Sequence, residues 1–120
     1  MTAIKKTSTI QENKQIALEM CPVTYVMEKI GSYWKPIILY HLSTSDKRYS
    51  EIKRAIPAIT EKVLIQHLKQ LETDGLIIRE AKPVVPPHVT YSLSTSGKGL
   101  FPVIDAMAKW AIEEQKGIFV

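Results

Sequence analysis

Between Thr60 and Asp74, Leu64, Leu68 and Leu71 recur at helical spacing and define an inward stripe. Glu61, Lys62, Ile65, Gln66, Lys69 and Gln70 are left on the opposite side. Those side chains suit the floor of a DNA groove. A lysine reaches guanine acceptors or phosphate, a glutamine pairs with both hydrogen-bonding atoms of an adenine edge, and an aliphatic group touches a thymine methyl. Thr60 precedes the stripe as an N-cap, where its hydroxyl and the free backbone amides can meet a phosphate. A solvated helix face has the same composition, so the face counts only with the elements around it.

A second chemical candidate is Cys21, followed by Pro22. Proline suits the first position of a helix, which puts Cys21 at the N-cap. Free amides and the helix dipole there favour a thiolate, the form that oxidants and electrophiles attack. The plainer reading is a small buried apolar residue. As the single cysteine it has no intrachain partner, which excludes a disulfide framework and a cysteine-built zinc site. His41, His67 and His88 are scattered and show no metal spacing. No histidine neighbours Cys21 in sequence, and Gly97-Lys98-Gly99 lacks the rest of a phosphate loop. These observations speak against an enzyme and imply no cofactor.

The surrounding elements give the recognition face its context. A first helix is expected from Ser8 to about Glu19, then a helix from Pro22 to Gly31. A third, capped by Ser32, carries Trp34, Ile37, Ile38, Leu39 and Leu42. Ser43 to Asp46 form a polar turn. Ser50 caps a short helix that Pro57 ends, because a residue before proline disfavours helical angles. The Thr60 helix stops at Gly75. Leu76, Ile77 and Ile78 lead into one strand. Val89, Tyr91 and Leu93 alternate with Thr90 and Ser92 in another, the pattern of a half-buried strand. The connection, Lys82 to His88, holds three prolines that restrict it before any docking. Short helix, turn, capped helix and hairpin are the parts of a winged helix-turn-helix, in which the second helix enters the major groove. The fold class expected is mainly α with a small β wing.

Gly97 opens the last expected helix, which is apolar on two sides. Phe101, Ile104, Ala108 and Ala111 cover one, and Leu100, Val103, Met107 and Trp110 the other. Two apolar sides need two neighbours, and a second copy of the chain is a natural second neighbour. A homodimer through the terminal helices is expected, with Ile10, Leu100, Val103, Met107 and Trp110 at the interface. The organisation expected is an arm and dimerisation helix over 1–20, a DNA-binding core over 21–96 and a dimerisation helix over 97–120. The net charge of +4 suits a polyanionic partner. No apolar run approaches the roughly twenty residues of a membrane span, and the polar N-terminus shows no secretory signal. A cytoplasmic location is expected.

The chain resembles the HxlR-type winged-helix regulators, which are related to the MarR repressors. The landmarks are Cys21-Pro22, Gly31, Trp34-Lys35-Pro36-Ile37-Ile38-Leu39, Tyr49-Ser50-Glu51-Ile52, Leu64 with Leu68 to Ile77, Val85-Pro86-Pro87-His88-Val89-Thr90-Tyr91-Ser92-Leu93, and Gly97. The resemblance implies a homodimer on a pseudo-palindromic operator. It assigns DNA contacts to Ser50, Thr60, Glu61, Lys62, Ile65, Gln66, Lys69, Lys82 and His88. It also implies that Cys21 occupies the position of a thiol whose oxidation or alkylation changes operator affinity. Departures occur at His88, where arginine is usual, at Tyr33, often lysine, and at Ile65, often a small hydroxyl residue. Competing readings are a regulator under small-ligand or constitutive control, and a winged helix used only for protein contacts.

Overall fold

The computed structural model describes residues 12–13 and 21–119. They fall into two compact units, one ending at Ser32 and the other starting at Tyr33. The first expected helix, Ser8 to Glu19, and the interface candidate Ile10 lie outside the described residues, apart from Glu12 and Asn13, which are helical.

In the first unit, α1 spans Pro22–Ile30 with Pro22 at its first position and Cys21 at the N-cap. The Gly31 N–H closes it on the Met27 carbonyl at 2.8 Å.

The second unit runs α2 (Trp34–Thr44), β1 (Lys47–Arg48), α3 (Tyr49–Ala55), α4 (Glu61–Thr73), β2 (Ile77–Lys82), β3 (His88–Leu93) and α5 (Thr95–Phe119). Its core gathers one apolar stripe from each helix. Ile38, Leu39 and Leu42 come from α2, Ile52 from α3, Leu64, Leu68 and Leu71 from α4, and Ile104 from α5, all buried. α2 is the central element and packs against α3, α4, α5 and β3.

The three strands form an antiparallel sheet of order β1-β3-β2. The hairpin expected from the sequence is therefore the outer part of a larger sheet. β1 has only two residues, too few for a pattern, and Lys47 holds it in place. The Lys47 ammonium donates to the His41 carbonyl at 3.0 Å, the Thr44 hydroxyl at 2.9 Å and the Ser45 hydroxyl at 2.8 Å. A cation at a helix C-terminus also complements the dipole. With β1 on one side, β3 becomes the middle strand. Its residues are uniformly half-buried up to Leu93, and the expected alternation is lost.

Three helix starts also differ from expectation. Tyr33, not Ser32, holds the N-cap position of α2. Arg48, not Ser50, precedes α3, and its N–H donates to the Glu51 carboxylate at 2.9 Å. An acidic side chain three residues into a helix reaches back to the N-cap amide, which ties the helix start to Arg48. α5 begins at Thr95 instead of Gly97. Ser94 is its cap: the hydroxyl accepts from the Gly97 N–H at 3.1 Å and donates to the Gly75 carbonyl at 2.6 Å.

The α4 terminus is specified locally. Gly75 has φ +75°, the Leu76 N–H returns to the Leu71 carbonyl at 2.9 Å, and the Gly75 N–H to Glu72 at 3.0 Å. This is a Schellman closure, with Leu71 and Leu76 both buried beneath it. The Ser94 N–H then donates to the Leu76 carbonyl at 3.1 Å. The end of α4 and the start of α5 are thus tied through Ser94.

Candidate nucleic-acid interface

α4 is laid down by its cap and its stripe. The Thr60 hydroxyl accepts from the Val63 N–H at 3.3 Å, and the Thr60 carbonyl from the Leu64 N–H at 2.9 Å. Upstream, Ile56 and Ile59 are buried and anchor the Pro57-Ala58 turn. Lys53 closes that turn by donating to the Pro57 carbonyl at 3.1 Å. With Leu64, Leu68 and Leu71 facing inward, Glu61, Lys62, Ile65, Gln66 and Lys69 are all exposed, as is Thr60. They form one continuous outer face. Ile65 is 45% exposed, high for an aliphatic residue surrounded by polar ones.

Ser50 is exposed in the first turn of α3, on the element that precedes the α4 turn. Behind the start of α4, the Tyr49 hydroxyl is shielded from solvent and has no hydrogen-bond partner among the described residues. Burial, then the Glu61 and Tyr91 charges, push its pKa above the usual tyrosine value. Tyr49 keeps its proton at neutral pH; it stands among the landmarks of the family resemblance, but its spacing assigns it no role in the site.

Lys82 and His88 are register partners at the outer end of the β2–β3 hairpin. In sequence they flank the proline loop; pairing brings them face to face on neighbouring strands. Beyond them the Val84 N–H turns back to the Lys82 carbonyl at 2.8 Å, and Val85 projects fully into solvent. β2 is exposed along its whole length after Ile77, which adds Arg79, opposite Tyr91, to the cations of the wing. No sequence pattern marks Arg79, because a lone arginine in a strand resembles any surface residue.

This arrangement is a two-part surface, a polar helix face and a cationic ribbon. A family model of the HxlR-like helix-turn-helix matches residues 29–117. The chain belongs to the HxlR-like helix-turn-helix family. It is 47% identical over 94 residues to the regulatory protein MalR of Fusobacterium mortiferum, covering 78% of this chain and 89% of that one. Among solved structures, the oxidised form of the redox regulator HypR superposes with a TM-score of 0.75 at 40% identity, covering 78% of this chain and 96% of that one. The reduced form of the transcriptional regulator YodB from Bacillus subtilis gives a TM-score of 0.67 at 34% identity, with coverages of 76% and 90%. The chain is a transcriptional regulator with a winged helix-turn-helix DNA-binding fold. Its relatives are regulators rather than enzymes. Among the described residues, no helix is long and apolar enough to cross a membrane.

Two further features of this HxlR-like regulator bear on assembly and control. Val103, Met107 and Trp110 of α5 are 46%, 50% and 68% exposed, and with Pro102, Ala106 and Ala111 they line an open apolar groove of about 850 Å³. Leu100, grouped with them from its spacing, is half-buried and sits apart from that groove. On α1, Cys21 is exposed rather than buried. Its thiol makes no full cap hydrogen bond, but the nearby Thr24 amide, then the Val23 amide and the Thr24 hydroxyl, hold its pKa below the ordinary thiol value.

Proposed function

We propose that this regulator binds a pseudo-palindromic operator as a homodimer, sequence-specifically, in the cytoplasm. The observation that carries this is the uncovered apolar face of α5 on the same unit as the exposed polar face of α4. Apolar side chains exposed in so tight a group mark an interaction surface, and a twofold pairing there would present two α4 helices. Successive major grooves on one side of B-DNA lie about 34–36 Å apart. Thr60, Glu61, Lys62, Ile65, Gln66 and Lys69 would meet the groove, Ser50 the backbone beside it, and Lys82 and His88 the flanking DNA. Phosphate contacts set register and base-edge contacts set sequence, so Lys62 and Gln66 are the residues expected to specify it.

A second layer is thiol control. The exposed helix-start position of Cys21 and its lowered pKa favour it, as does the likeness to the redox regulator HypR. With one cysteine per chain, a disulfide must join two subunits. Two Cys21 thiols would give up two electrons and two protons to an oxidant such as diamide, forming one S–S bond. Alkylation by an electrophile would act on the same thiolate without joining the subunits.

The test is footprinting and salt-dependent binding on the DNA upstream of the regulator's own gene, before and after diamide. Wild type should protect two half-sites separated by about 10–10.5 base pairs. Wild-type affinity should fall steeply with salt, and Lys62→Ala should cost about 1–3 kcal/mol per half-site and relax specificity at the base it reads. Diamide should change wild-type affinity about tenfold, equal to about 1.4 kcal/mol of coupling, and leave Cys21→Ser unchanged. Binding indifferent to both salt and Lys62→Ala overturns the DNA assignment. An oxidised wild type with unaltered affinity removes thiol control and leaves a regulator governed by a small ligand or by none.

A further inference from the structure

We infer that the second unit carries a binding site for a small zwitterion with an apolar body, of the kind exemplified by a branched-chain amino acid. The site is a cleft of about 300 Å³ where the C-terminal turn of α2, the approach to β1, the end of β3 and the first turns of α5 meet. That volume is at the lower end for small-molecule pockets, which sets the ligand at metabolite size. Leu42, Leu93 and Phe101 supply the apolar wall, Asp46 and Lys98 the charges, and Ser45 a hydroxyl.

The charges give the site its chemistry. Asp46 and Lys98 line the same cleft and form no ion pair with each other. Opposite charges that do not pair with each other, around an apolar wall, are complementary to a molecule that carries both signs. A ligand ammonium would meet the Asp46 carboxylate and a ligand carboxylate the Lys98 ammonium, while the aliphatic body would lie on Leu42, Leu93 and Phe101. Ser45 is set for the same carboxylate. Its oxygen already accepts from Lys47 at 2.8 Å, so its O–H remains to donate. Lys47, also bonded to the C-terminal turn of α2, holds that hydroxyl in place.

The location gives the site a consequence. Its walls come from α5, whose outer face is the apolar groove, and from the segment that leads through β1 into α3. A ligand bridging Asp46 and Lys98 would clamp the start of α5 to the helix-turn-helix. This role goes beyond DNA binding and thiol control, and its test requires neither DNA nor Cys21.

The experiment is amide NMR titration of the full chain with L-leucine, 4-methylpentanoate (which lacks the ammonium) and 3-methylbutylamine (which lacks the carboxylate). Each is taken to about 10 mM, roughly tenfold above a millimolar Kd. The expected result is saturable shifts at Ser45, Asp46 and Lys98 with leucine, and at least tenfold weaker binding of the two single-charge analogues. Asp46→Asn and Lys98→Gln should each weaken leucine at least tenfold, with spectra that otherwise show the native fold. Methionine and phenylalanine serve as larger zwitterionic probes. Absence of saturable shifts in the cleft with all three amino acids overturns the inference. So does equal binding of leucine and its single-charge analogues.

Discussion

Replacing Gly97 with alanine should destabilise the protein, whereas the same change two residues on should not. A Cβ on Gly97 would lie 2.2 Å from the Leu76 carbonyl oxygen, 3.2 Å from its carbon and 3.3 Å from Leu93 Cδ2. Ordinary contact needs about 1 Å more room, and the first obstacle is backbone rather than a flexible side chain. The start of α5 would have to lift away from Leu76. That movement stretches the Ser94 N–H bond to the Leu76 carbonyl, now 3.1 Å, beyond hydrogen-bonding range. It also strains the Ser94 hydroxyl bridge between the Gly97 N–H and the Gly75 carbonyl. Overpacking costs about 1–3 kcal/mol and a lost neutral hydrogen bond about 1 kcal/mol. The helix-propensity gain of alanine over glycine offsets about 1 kcal/mol. The net loss is about 2 kcal/mol, or roughly 5–10 °C in melting temperature for a chain of this size. Gly99 lies in the same helix with nothing within 4 Å of its Cβ position. Gly99→Ala should therefore keep the propensity gain and raise the melting temperature by a few degrees. Thermal unfolding followed by far-ultraviolet circular dichroism, at one fixed protein concentration, reads both. A Gly97→Ala protein as stable as wild type would refute the close approach of α5 to Leu76.

Two other outcomes follow from particular side chains. Trp110→Glu and Met107→Glu place charge on exposed positions of the apolar α5 groove, so sedimentation equilibrium should report a monomeric mass for both variants against the dimeric mass expected of wild type; a dimeric mass for both variants would separate the groove from assembly. Burial, with the Lys35 charge behind it, lowers the His67 pKa, and burial with Lys47 does the same for His41. The unfolded chain then binds more protons, so stability is full above about pH 6.5 and falls as acid protonates the released imidazoles. Urea unfolding between about pH 7 and pH 5 should show that fall, and His67→Gln should flatten it; an unchanged slope would exclude His67 as a source.

The recognition helix was the most legible part of the chain. Its cap, its three leucines and its terminal glycine are local signals, and each acts where it stands: Thr60 on the Val63 amide, Gly75 at φ +75°. Cys21-Pro22 was legible for the same reason, since a proline at the first helical position fixes the residue before it as the cap. The wing was only half visible. Lys47 and Arg48 carry no strand pattern, and their pairing with Tyr91 and Thr90 comes from β3, over forty positions away in the chain. That unseen neighbour also abolished the alternation expected of β3. Caps were misplaced where a helix starts without a hydroxyl cap, as at α3, where Glu51 reaches back to the Arg48 amide.

Sequence alone determined the helices, the β2–β3 hairpin, their order and the identity of the outward face of α4, because helix periodicity, proline and glycine constrain the backbone within a few residues. It also supplied two apolar sides for α5. Only tertiary structure decided which side the unit covers: Ile104 is buried against the body, while Val103, Met107 and Trp110 stay in water. The same packing brought Asp46 and Lys98 to the lining of one cleft and pressed Gly97 onto Leu76. Both juxtapositions join residues distant along the chain, and such contacts form only once α2, β3 and α5 share a core.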